Sequence, residues 1–240
     1  IDFSIFESEY KMLKNKNSVD TSSKVLNSID TWKKTIYPKS DGQNKYIQAV
    51  NEYDVIFGLG PAGTGKSYLA VAKAVQSLKK GHIDKIILSR PAVEAGENLG
   101  FLPGDMKDKV DPYLRPIYDA LYEMMPFETV EKKIQEGIIE IAPVAFMRGR
   151  TFKNSFIIID EAQNTSSIQM KMILTRLGYG SKMIINGDLT QIDIKYINDS
   201  GLSTAKKKLS NLKTIKFINL NKKDVVRHKI VSEIISAYEK

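Results

Sequence analysis

The sequence predicts an α/β protein in which a mostly parallel sheet carries helices on both faces. From residue 43 onwards, short apolar runs alternate with longer segments of helical periodicity. The apolar runs are nearly continuous, which is typical of strands buried on both faces. With 240 residues and 42% apolar side chains, the chain is long enough to bury such a core.

Each element is predicted from its apolar pattern and its flanking turn residues. Six strands are predicted, at Asp54–Leu59, Lys85–Ser89, Ile138–Ile141, Phe156–Ile159, Met183–Asn186 and Thr214–Leu220. The helices predicted around them are Gln43–Asn51, Lys66–Lys80, Val110–Met125, Ser166–Leu177, Gly201–Leu209 and Val225–Tyr238.

The first 40 residues form a polar segment that is rich in Asn, Ser, Lys and Thr. Weak periodicity suggests short helices around Phe3–Lys14 and Ser22–Lys34, and turn residues from Pro38 to Gly42 close the segment. We therefore predict an N-terminal arm over residues 1–40 and one domain over residues 41–240.

Composition excludes several classes of protein. The chain has no cysteine and only two histidines, so disulfides, cysteine nucleophiles and histidine-rich metal sites are excluded. No apolar run approaches the roughly 20 residues that a membrane helix needs, and residues 1–30 lack a signal-peptide core. We expect a cytoplasmic protein with no membrane partner.

Positive charge is concentrated near the C-terminal end. The chain carries a net charge of +8, and residues 206–229 hold 9 basic residues against Asp224 alone. A basic surface of this kind can bind the phosphates of a nucleic acid. It could equally face an acidic neighbouring subunit, or only keep the protein soluble.

A phosphate-binding motif follows the first predicted strand. It reads Gly60, Pro61, Ala62, Gly63, Thr64, Gly65, Lys66 and Ser67, which matches G-x-x-x-x-G-K-S between a strand and a helix. Its glycines let successive N–H groups turn inward around a phosphate of ATP, and the N-terminus of the next helix adds partial positive charge. Lys66 is expected to reach the β- and γ-phosphates, and the hydroxyl of Ser67 to bind Mg²⁺.

Two carboxylates follow the predicted strand Phe156–Ile159. We predict that Asp160 is a Mg²⁺ ligand and that Glu161 is the general base for the attacking water. In open parallel sheets, sites form at the carboxyl ends of strands, where these residues would lie. Taken alone, Asp-Glu at a strand end is also ordinary turn chemistry.

Two amides are further candidates for the nucleotide site. Gln191 follows the strand Met183–Asn186 in the pattern Gly-Asp-x-x-Gln and could sense the γ-phosphate, although Gly-Asp is also a common turn dipeptide. Gln43 precedes the strand that feeds the phosphate loop and could recognise adenine, with Tyr46 or the helix behind the base. A surface position on the helix is the alternative for Gln43.

Arginines near the predicted crevice are candidates for phosphate contacts, because a guanidinium binds phosphate in a bidentate manner. The candidates are Arg90, Arg148, Arg150, Arg176 and Arg227. One of them could neutralise charge in the transition state, and each could instead be a structural arginine.

Taken together, these motifs resemble the PhoH-like ATPase family. The matching segments are IFGLGPAGTGKSYLAVAKAV, IILSRPAVEAGENLGFLPGDMKDKVDPYLRPIYDAL, EIAPVAFMRGRTF, FIIIDEAQNT, MKMILTRLGYGSKMIINGDLTQID and DVVRH. The resemblance implies a single RecA-like P-loop NTPase domain, similar to the first motor domain of superfamily 1 helicases. In that comparison Gln43 corresponds to a Q-motif, Asp160 and Glu161 to motif II, and Gly187 to Gln191 to motif III.

The resemblance also implies a hexameric ring and a role linked to RNA. In such a ring one subunit's arginine would lie over its neighbour's site, and we expect Arg227 to be this residue, with Arg176 second. We therefore expect an Mg²⁺-dependent ATPase that acts on RNA or other single-stranded nucleic acid. The alternatives are an ATP-gated binding module with little turnover and a small-molecule kinase, which Glu161 and the lack of an arginine-rich lid disfavour.

Overall fold

The computed structural model describes residues 27–91, 106–141, 143–192 and 200–226, together with residues 230, 231, 234 and 237. Within these residues the strands are β1 (Ile29–Asp30), β2 (Thr35–Ile36), β3 (Val55–Leu59), β4 (Lys85–Ser89), β5 (Ile139–Ile141), β6 (Ser155–Ile159), β7 (Lys182–Gly187) and β8 (Ile215–Asn219).

The α-helices in the same residues are α1 (Asp41–Glu52), α2 (Lys66–Lys79), α3 (Met106–Met124), α4 (Phe127–Gln135), α5 (Ser167–Leu174) and α6 (Gly201–Leu209). Short 3₁₀ segments lie at Val144–Met147, Ala162–Asn164 and Lys222–Asp224.

Six of the strands form one sheet in the order β5-β4-β6-β7-β3-β8, and every neighbouring pair is parallel. This confirms the predicted α/β class and the parallel sheet. The order of the strands in the sheet differs from their order in the chain. β7 lies between β3 and β6, although it follows both of them in the sequence. Parallel neighbours need crossover connections, and the helices supply them.

Both faces of the sheet are buried, which explains the unbroken apolar runs. Consecutive residues such as Ile56 and Phe57 point to opposite faces and are both fully buried. One face packs against α1, α2 and α3 in a core that includes Tyr46 and Ile184. The other face packs against α5 and α6 through residues such as Met170.

The end of the N-terminal arm is a hairpin, so the helix suggested at Ser22–Lys34 is wrong in its described part. β1 and β2 pair antiparallel, with Ile29 opposite Ile36, and both of these side chains are buried. The hairpin is fixed to α2, because Lys79 Nζ donates to Asp30 Oδ2 at 2.7 Å. The helix suggested at Phe3–Lys14 lies outside the described residues, and the division at residue 40 stays a prediction.

Three predicted helices differ from the observed ones by more than two residues at one end. The helix predicted at Val110–Met125 begins earlier, as α3, and Pro126 separates it from α4, which the sequence did not predict. The helix predicted at Ser166–Leu177 ends at Leu174. The third helix was predicted at Val225–Tyr238. Val225 and Val226 are not helical, whereas the four residues described beyond them, at positions 230, 231, 234 and 237, are helical. A hydrogen bond from Val226 N to Gly63 O draws this backbone away from a helix.

No helix among the described residues is long and apolar enough to cross a membrane.

Core packing gives a test of this architecture. Replacing Ile184, which is fully buried in the middle of β7, with alanine should lower the free energy of unfolding by about 2–5 kcal/mol through lost burial and a residual cavity. The matched control is Ile168→Ala on α5, where the side chain is 81% exposed and the change should stay within about 0.5 kcal/mol. Urea unfolding followed by circular dichroism measures both, and equal losses would contradict the assigned core.

Candidate functional site

Lys66, Ser67, Asp160 and Glu161 come together because β3, β6 and β7 are parallel neighbours and end at the same edge of the sheet. β3 leads into the phosphate loop, β6 into Asp160, and β7 into Asp188. The backbone joins these strand ends, since Gly60 N donates to Gly187 O at 3.1 Å. The sheet therefore places the loop and the two acidic strand ends around one crevice.

The lysine of the phosphate loop binds backbone carbonyls of the same loop. Lys66 Nζ donates to Gly60 O at 2.6 Å and to Pro61 O at 2.9 Å. The loop needs its glycines, since Gly63 and Gly65 have φ near +82° and +81°, a region that side chains disfavour. Thr64 Oγ1 also donates to Pro61 O at 2.9 Å. The loop is thus a preformed ring of backbone that opens towards the crevice.

The electrostatics of Lys66 result from burial near acids. Burial lowers the pKa of the Lys66 ammonium, and the carboxylates of Asp160, Asp188 and Glu161 oppose this effect. Three acidic side chains therefore surround the cation that is expected to pair with phosphate.

Ser67 and Asp160, the two predicted metal ligands, are in direct contact. Ser67 Oγ donates to Asp160 Oδ1 at 2.6 Å. Burial raises the pKa of Asp160, and the hydrogen bond from Ser67 works against that rise. Two hard oxygen donors side by side fit Mg²⁺, which takes one or two protein ligands and completes its shell with waters and phosphate oxygens. The described residues contain no group of three or more acidic or histidine side chains that could hold a metal ion.

Glu161 is held by two partners. Arg90 Nη2 donates to Glu161 Oε1 at 3.0 Å, and Gln163 Nε2 donates to Glu161 Oε2 at 2.6 Å. The Glu161 backbone has φ +53°, an unfavourable conformation that native proteins keep mainly at functional positions. Both oxygens of the predicted general base are therefore engaged in this conformation.

Gln163 connects Glu161 to the end of β7. Asp188 N donates to Gln163 Oε1 at 3.0 Å, and the Gln163 side chain is buried. Asp188 Oδ1 accepts from Thr190, whereas Asp188 Oδ2 is buried with no hydrogen-bond partner among the described residues. Gln191, the predicted γ-phosphate sensor, is exposed and lines the same crevice.

The crevice is a cavity of about 450 Å³ beside the phosphate loop. Ala62, Gly63 and Ser67 line the loop side, together with Asp160 and Glu161. The opposite wall comes from α3 and α2, through Tyr68, Pro116, Ile117, Asp119, Ala120 and Glu123. A concave site with a few convergent polar groups is the usual form of a small-molecule site.

Gln43 contacts the phosphate loop itself. Its Nε2 donates to Thr64 O at 3.0 Å, and its Oε1 accepts from Lys39 N at 2.7 Å, so the buried amide is fully engaged. Adenine recognition by Gln43 stays a prediction. Tyr46 is not available to stack on a base, because its ring is fully buried and its hydroxyl donates to Asn186 Oδ1 at 2.8 Å.

The candidate arginines have different surroundings. Arg150 forms a two-pronged ion pair with Glu140 and lies over the ring of Phe152, which is the environment of a structural arginine. Arg176 donates to the carbonyls of Met172 and Arg150 and to the Thr175 hydroxyl.

Of the remaining candidates, Arg90 reaches the crevice through its pair with Glu161. Arg148 is exposed. Arg227 lies outside the described residues.

Sequence reasoning missed the partners of the candidate residues. It did not anticipate Gln163 as a partner of Glu161, although an amide two residues beyond the acid was a visible signal. The Tyr46–Asn186 hydrogen bond joins α1 to β7 and has no signal in either segment alone. The contact between Tyr46 and Asn186 depends on the position of β7 in the sheet.

Comparison with known proteins gives a family. The family model described as PhoH-like protein matches residues 35–239. The "PhoH-like protein" of Bacillus subtilis (strain 168) is 59% identical over 207 residues, which cover 86% of this chain and 65% of that protein. The "PhoH-like protein" of Mycobacterium bovis is 55% identical over 205 residues, covering 85% of this chain and 58% of that protein. The chain thus spans less than two thirds of the length of these relatives.

Among solved structures, the crystal structure of Pif1 helicase from Candida albicans is similar over 82% of this chain and 42% of that chain. The sequence identity is 16% and the TM-score is 0.40.

The buried Asp160 gives a prediction about stability and pH. The pKa of Asp160 in the folded protein lies above the ordinary 3.8, so folding favours the protonated side chain. The stability that this preference contributes is fully present below the pKa of Asp160 in the unfolded protein. It is lost as pH rises through the pKa of Asp160 in the folded protein. Asp160→Asn should therefore be more stable than the parent protein at pH 7, and the gain should shrink towards pH 4. Urea unfolding without Mg²⁺ or nucleotide at the two pH values measures this.

The matched control for that comparison is Asp54→Asn, because the Asp54 side chain is 81% exposed. Its stability should stay within about 0.5 kcal/mol of the parent at both pH values. A loss of stability in Asp160→Asn at pH 7 would show that the buried carboxylate is favourable where it lies.

Proposed function

Since the chain belongs to the PhoH-like protein family, we propose that it is an Mg²⁺-dependent ATPase that acts on RNA. The observation that carries the proposal is the hydrogen bond of 2.6 Å between Ser67 Oγ and Asp160 Oδ1 beside Lys66. It brings the end of the phosphate loop and the acidic strand end to one point. This arrangement supports hydrolysis of the β–γ bond of ATP.

Binding of ATP requires Lys66 to change partners. Its ammonium now donates to the carbonyls of Gly60 and Pro61, which are neutral acceptors. A β- or γ-phosphate oxygen is a charged acceptor and forms a stronger hydrogen bond with it. The N–H groups of the loop and the N-terminus of α2 would hold the β-phosphate at the same time.

Ser67 and Asp160 are the residues that would hold Mg²⁺. When bound, the ion neutralises charge on the β- and γ-phosphates. The Ser67 hydroxyl oxygen would present a lone pair to the cation. The ionised Asp160 would balance part of the charge of the cation.

Glu161 is the proposed general base. Each of its carboxylate oxygens accepts one hydrogen bond and has a further lone pair that can accept a proton from water, and opening the hydrogen bond from Arg90 or the one from Gln163 would give the water more room. Arg90 is the better candidate to move, because a γ-phosphate is a competing partner for its guanidinium. Gln163 is anchored to Asp188 N and would keep the other oxygen oriented. Gln191 at the cavity would contact the γ-phosphate or the water.

Exposed lysines support binding to RNA. Lys207 and Lys208 at the end of α6 and Lys213 before β8 are exposed. None of them takes part in a salt bridge within the part of the chain that the structure describes. Lysines of this kind can neutralise backbone phosphates of single-stranded RNA without reading its sequence. The C-terminal basic segment is therefore the proposed RNA-binding surface.

A ring of subunits is the proposed assembly. The cavity at the strand ends is bordered by α3 on one side, and an arginine from a neighbouring subunit would add the positive charge that the γ-phosphate needs in the transition state. Arg227 remains the proposed residue. Arg176 is the weaker candidate, because its guanidinium already binds two backbone carbonyls.

An ATP-gated binding module with little turnover is the second candidate function. The observation in its favour is that both Glu161 oxygens are engaged, by Arg90 and by Gln163. If both hydrogen bonds persist when ATP binds, they restrict the approach of water to Glu161, so that turnover is low and the nucleotide acts mainly as a conformational signal.

Substitutions in the site separate binding from hydrolysis. Lys66→Ala should abolish productive ATP binding, because the charge paired with the phosphates is lost. Glu161→Gln should retain ATP affinity and lose about 10²-fold or more in turnover, because the water is no longer activated. Calorimetry with ATP and a phosphate-release assay, each with and without single-stranded RNA, measure these effects.

Glu128→Gln on the exposed side of α4 is the control for the loss of one carboxylate, and it should behave as the parent protein. Parent-like turnover in Glu161→Gln would remove Glu161 as the base. Tight ATP binding by the parent protein without phosphate release, with or without RNA, would favour the binding module.

The RNA surface is tested by salt dependence. Lys207, Lys208 and Lys213 changed together to glutamine should weaken binding of a single-stranded RNA. The change should also reduce the slope of log affinity against log salt by about 2, from roughly 0.7 per lost phosphate contact. Fluorescence anisotropy at several salt concentrations, with a non-hydrolysable ATP analogue present, measures both quantities.

The control carries the same change of charge at exposed lysines elsewhere in the chain, at Lys45, Lys153 and Lys171. An equal loss in both triple variants would indicate a general charge effect rather than a defined surface.

A further inference from the structure

Asp224 links two segments that lie far apart in the sequence. We call residues Asn221–Val226 the strap; it follows β8 and contains a short 3₁₀ turn. Asp224 is buried, and its Oδ1 accepts from Ser40 Oγ at 2.7 Å and from Gly42 N at 3.1 Å. Its Oδ2 accepts from Asn221 N at 2.8 Å. One carboxylate thus joins the strap to the first turn of α1.

The fit around this carboxylate is tight. A Cβ on Gly42 would collide with the Asp224 carboxylate, so any other residue there would force this carboxylate to shift. A buried carboxylate is costly unless donors surround it, and Asp224 has three. The N-terminus of α1 supplies partial positive charge as well.

The two segments that Asp224 joins both hold the phosphate loop. From α1, Gln43 Nε2 donates to Thr64 O at 3.0 Å. From the strap, Val226 N donates to Gly63 O at 2.9 Å. These are adjacent carbonyls on the outer side of the loop, opposite to the N–H groups that would face a phosphate. The loop is therefore gripped from two elements that are far apart in the chain.

We propose that Asp224 is a positioning residue of the nucleotide site, which locks the strap to α1 so that both hold the phosphate loop in its phosphate-binding shape. The inference rests on the proposed function for the identity of the ligand, a nucleoside triphosphate, but not for the state of the loop. Because the strap and the loop share a hydrogen bond, nucleotide binding should in turn order the strap.

Asp224→Asn is the variant that tests this. Asparagine keeps one carbonyl oxygen for Ser40 and Gly42, and its amide nitrogen then faces Asn221 N, so two donors oppose each other. The matched control is Asp41→Asn, which removes the same charge from the exposed first turn of α1 without touching the strap. A Mg²⁺-loaded non-hydrolysable ATP analogue is titrated into each protein by calorimetry well below its melting temperature.

Hydrogen exchange supplies the second measurement. Without nucleotide, amides of residues 60–66 should exchange at least 10-fold faster in Asp224→Asn than in the parent protein, while those of β5 stay unchanged. With nucleotide, amides of the strap should be protected in the parent protein and not in the variant. The affinity of the variant should be at least 10-fold weaker, and that of Asp41→Asn within twofold of the parent.

The outcomes separate this inference from the proposed function. A lower melting temperature in Asp224→Asn with unchanged affinity and unchanged loop exchange would make Asp224 a purely structural residue and overturn the inference. Faster exchange throughout the chain, β5 included, would overturn it too. Failure of the parent protein to bind nucleotide would refute the proposed function, while loop exchange would still decide the role of Asp224.

Gly42→Ala covers the case in which Asp224→Asn does not fold. Alanine is the better helix former in an ordinary first turn, so the substitution should be harmless or stabilising if the contact with Asp224 is unimportant. If Asp224 locks the strap, the added methyl group should displace it, and loop exchange should rise at least 10-fold. Parent-like loop exchange in Gly42→Ala would count against the inference.

Discussion

The parallel pairing of β3, β7 and β6 is the constraint on which the site depends. Parallel strands end at the same edge of a sheet, so whatever follows each strand is brought into one crevice. Here the three strands deliver a phosphate loop, a polar turn and two carboxylates. The apolar residues that bury the sheet on both faces make this pairing stable, and they also remove water from beneath Lys66 and Asp160. Packing and electrostatics therefore have a common origin in the central strands.

The charged side chains beneath and beside the phosphate loop are buried or partly buried, so they need hydrogen-bond or ionic partners. Lys66 is held by backbone carbonyls, Asp160 by the Ser67 hydroxyl, and Glu161 by Arg90 and Gln163. Each of these contacts satisfies a charged group in or beside the crevice, and in the proposed function each would be exchanged for a contact to phosphate, metal or water. Among the described residues these groups already have partners, whereas Asp188 Oδ2 has none, so a nucleotide bound as proposed would mainly replace existing interactions.

The phosphate loop is also held from outside the crevice. Gln43 and Val226 bind neighbouring loop carbonyls, and Asp224 joins the segments that carry them. If the further inference holds, these contacts restrict a loop whose glycines would otherwise allow many conformations. Ordering the loop before a ligand arrives reduces the entropy lost on binding, which is the general benefit of preorganisation. The residues that follow β8 are thereby tied to the proposed nucleotide site.

The sequence by itself determined the fold class, the positions of the six sheet strands and the motif residues Lys66, Ser67, Asp160 and Glu161. These are local signals: unbroken apolar runs, a fixed spacing of glycines, and acids after a strand. Only the tertiary structure decided that β7 lies between β3 and β6, and that Arg90 and Gln163 hold Glu161. It also placed Tyr46 in the core and turned residues 29–36 into a hairpin, against the sequence-based expectations. The contacts of Arg90 with Glu161 and of Tyr46 with Asn186 join residues far apart in the chain, as does the contact of Ser40 with Asp224 across 184 positions, and no local pattern encodes contacts of that range. Gln163 and the hairpin are local features, and their pairing follows from how these short segments pack in the folded chain.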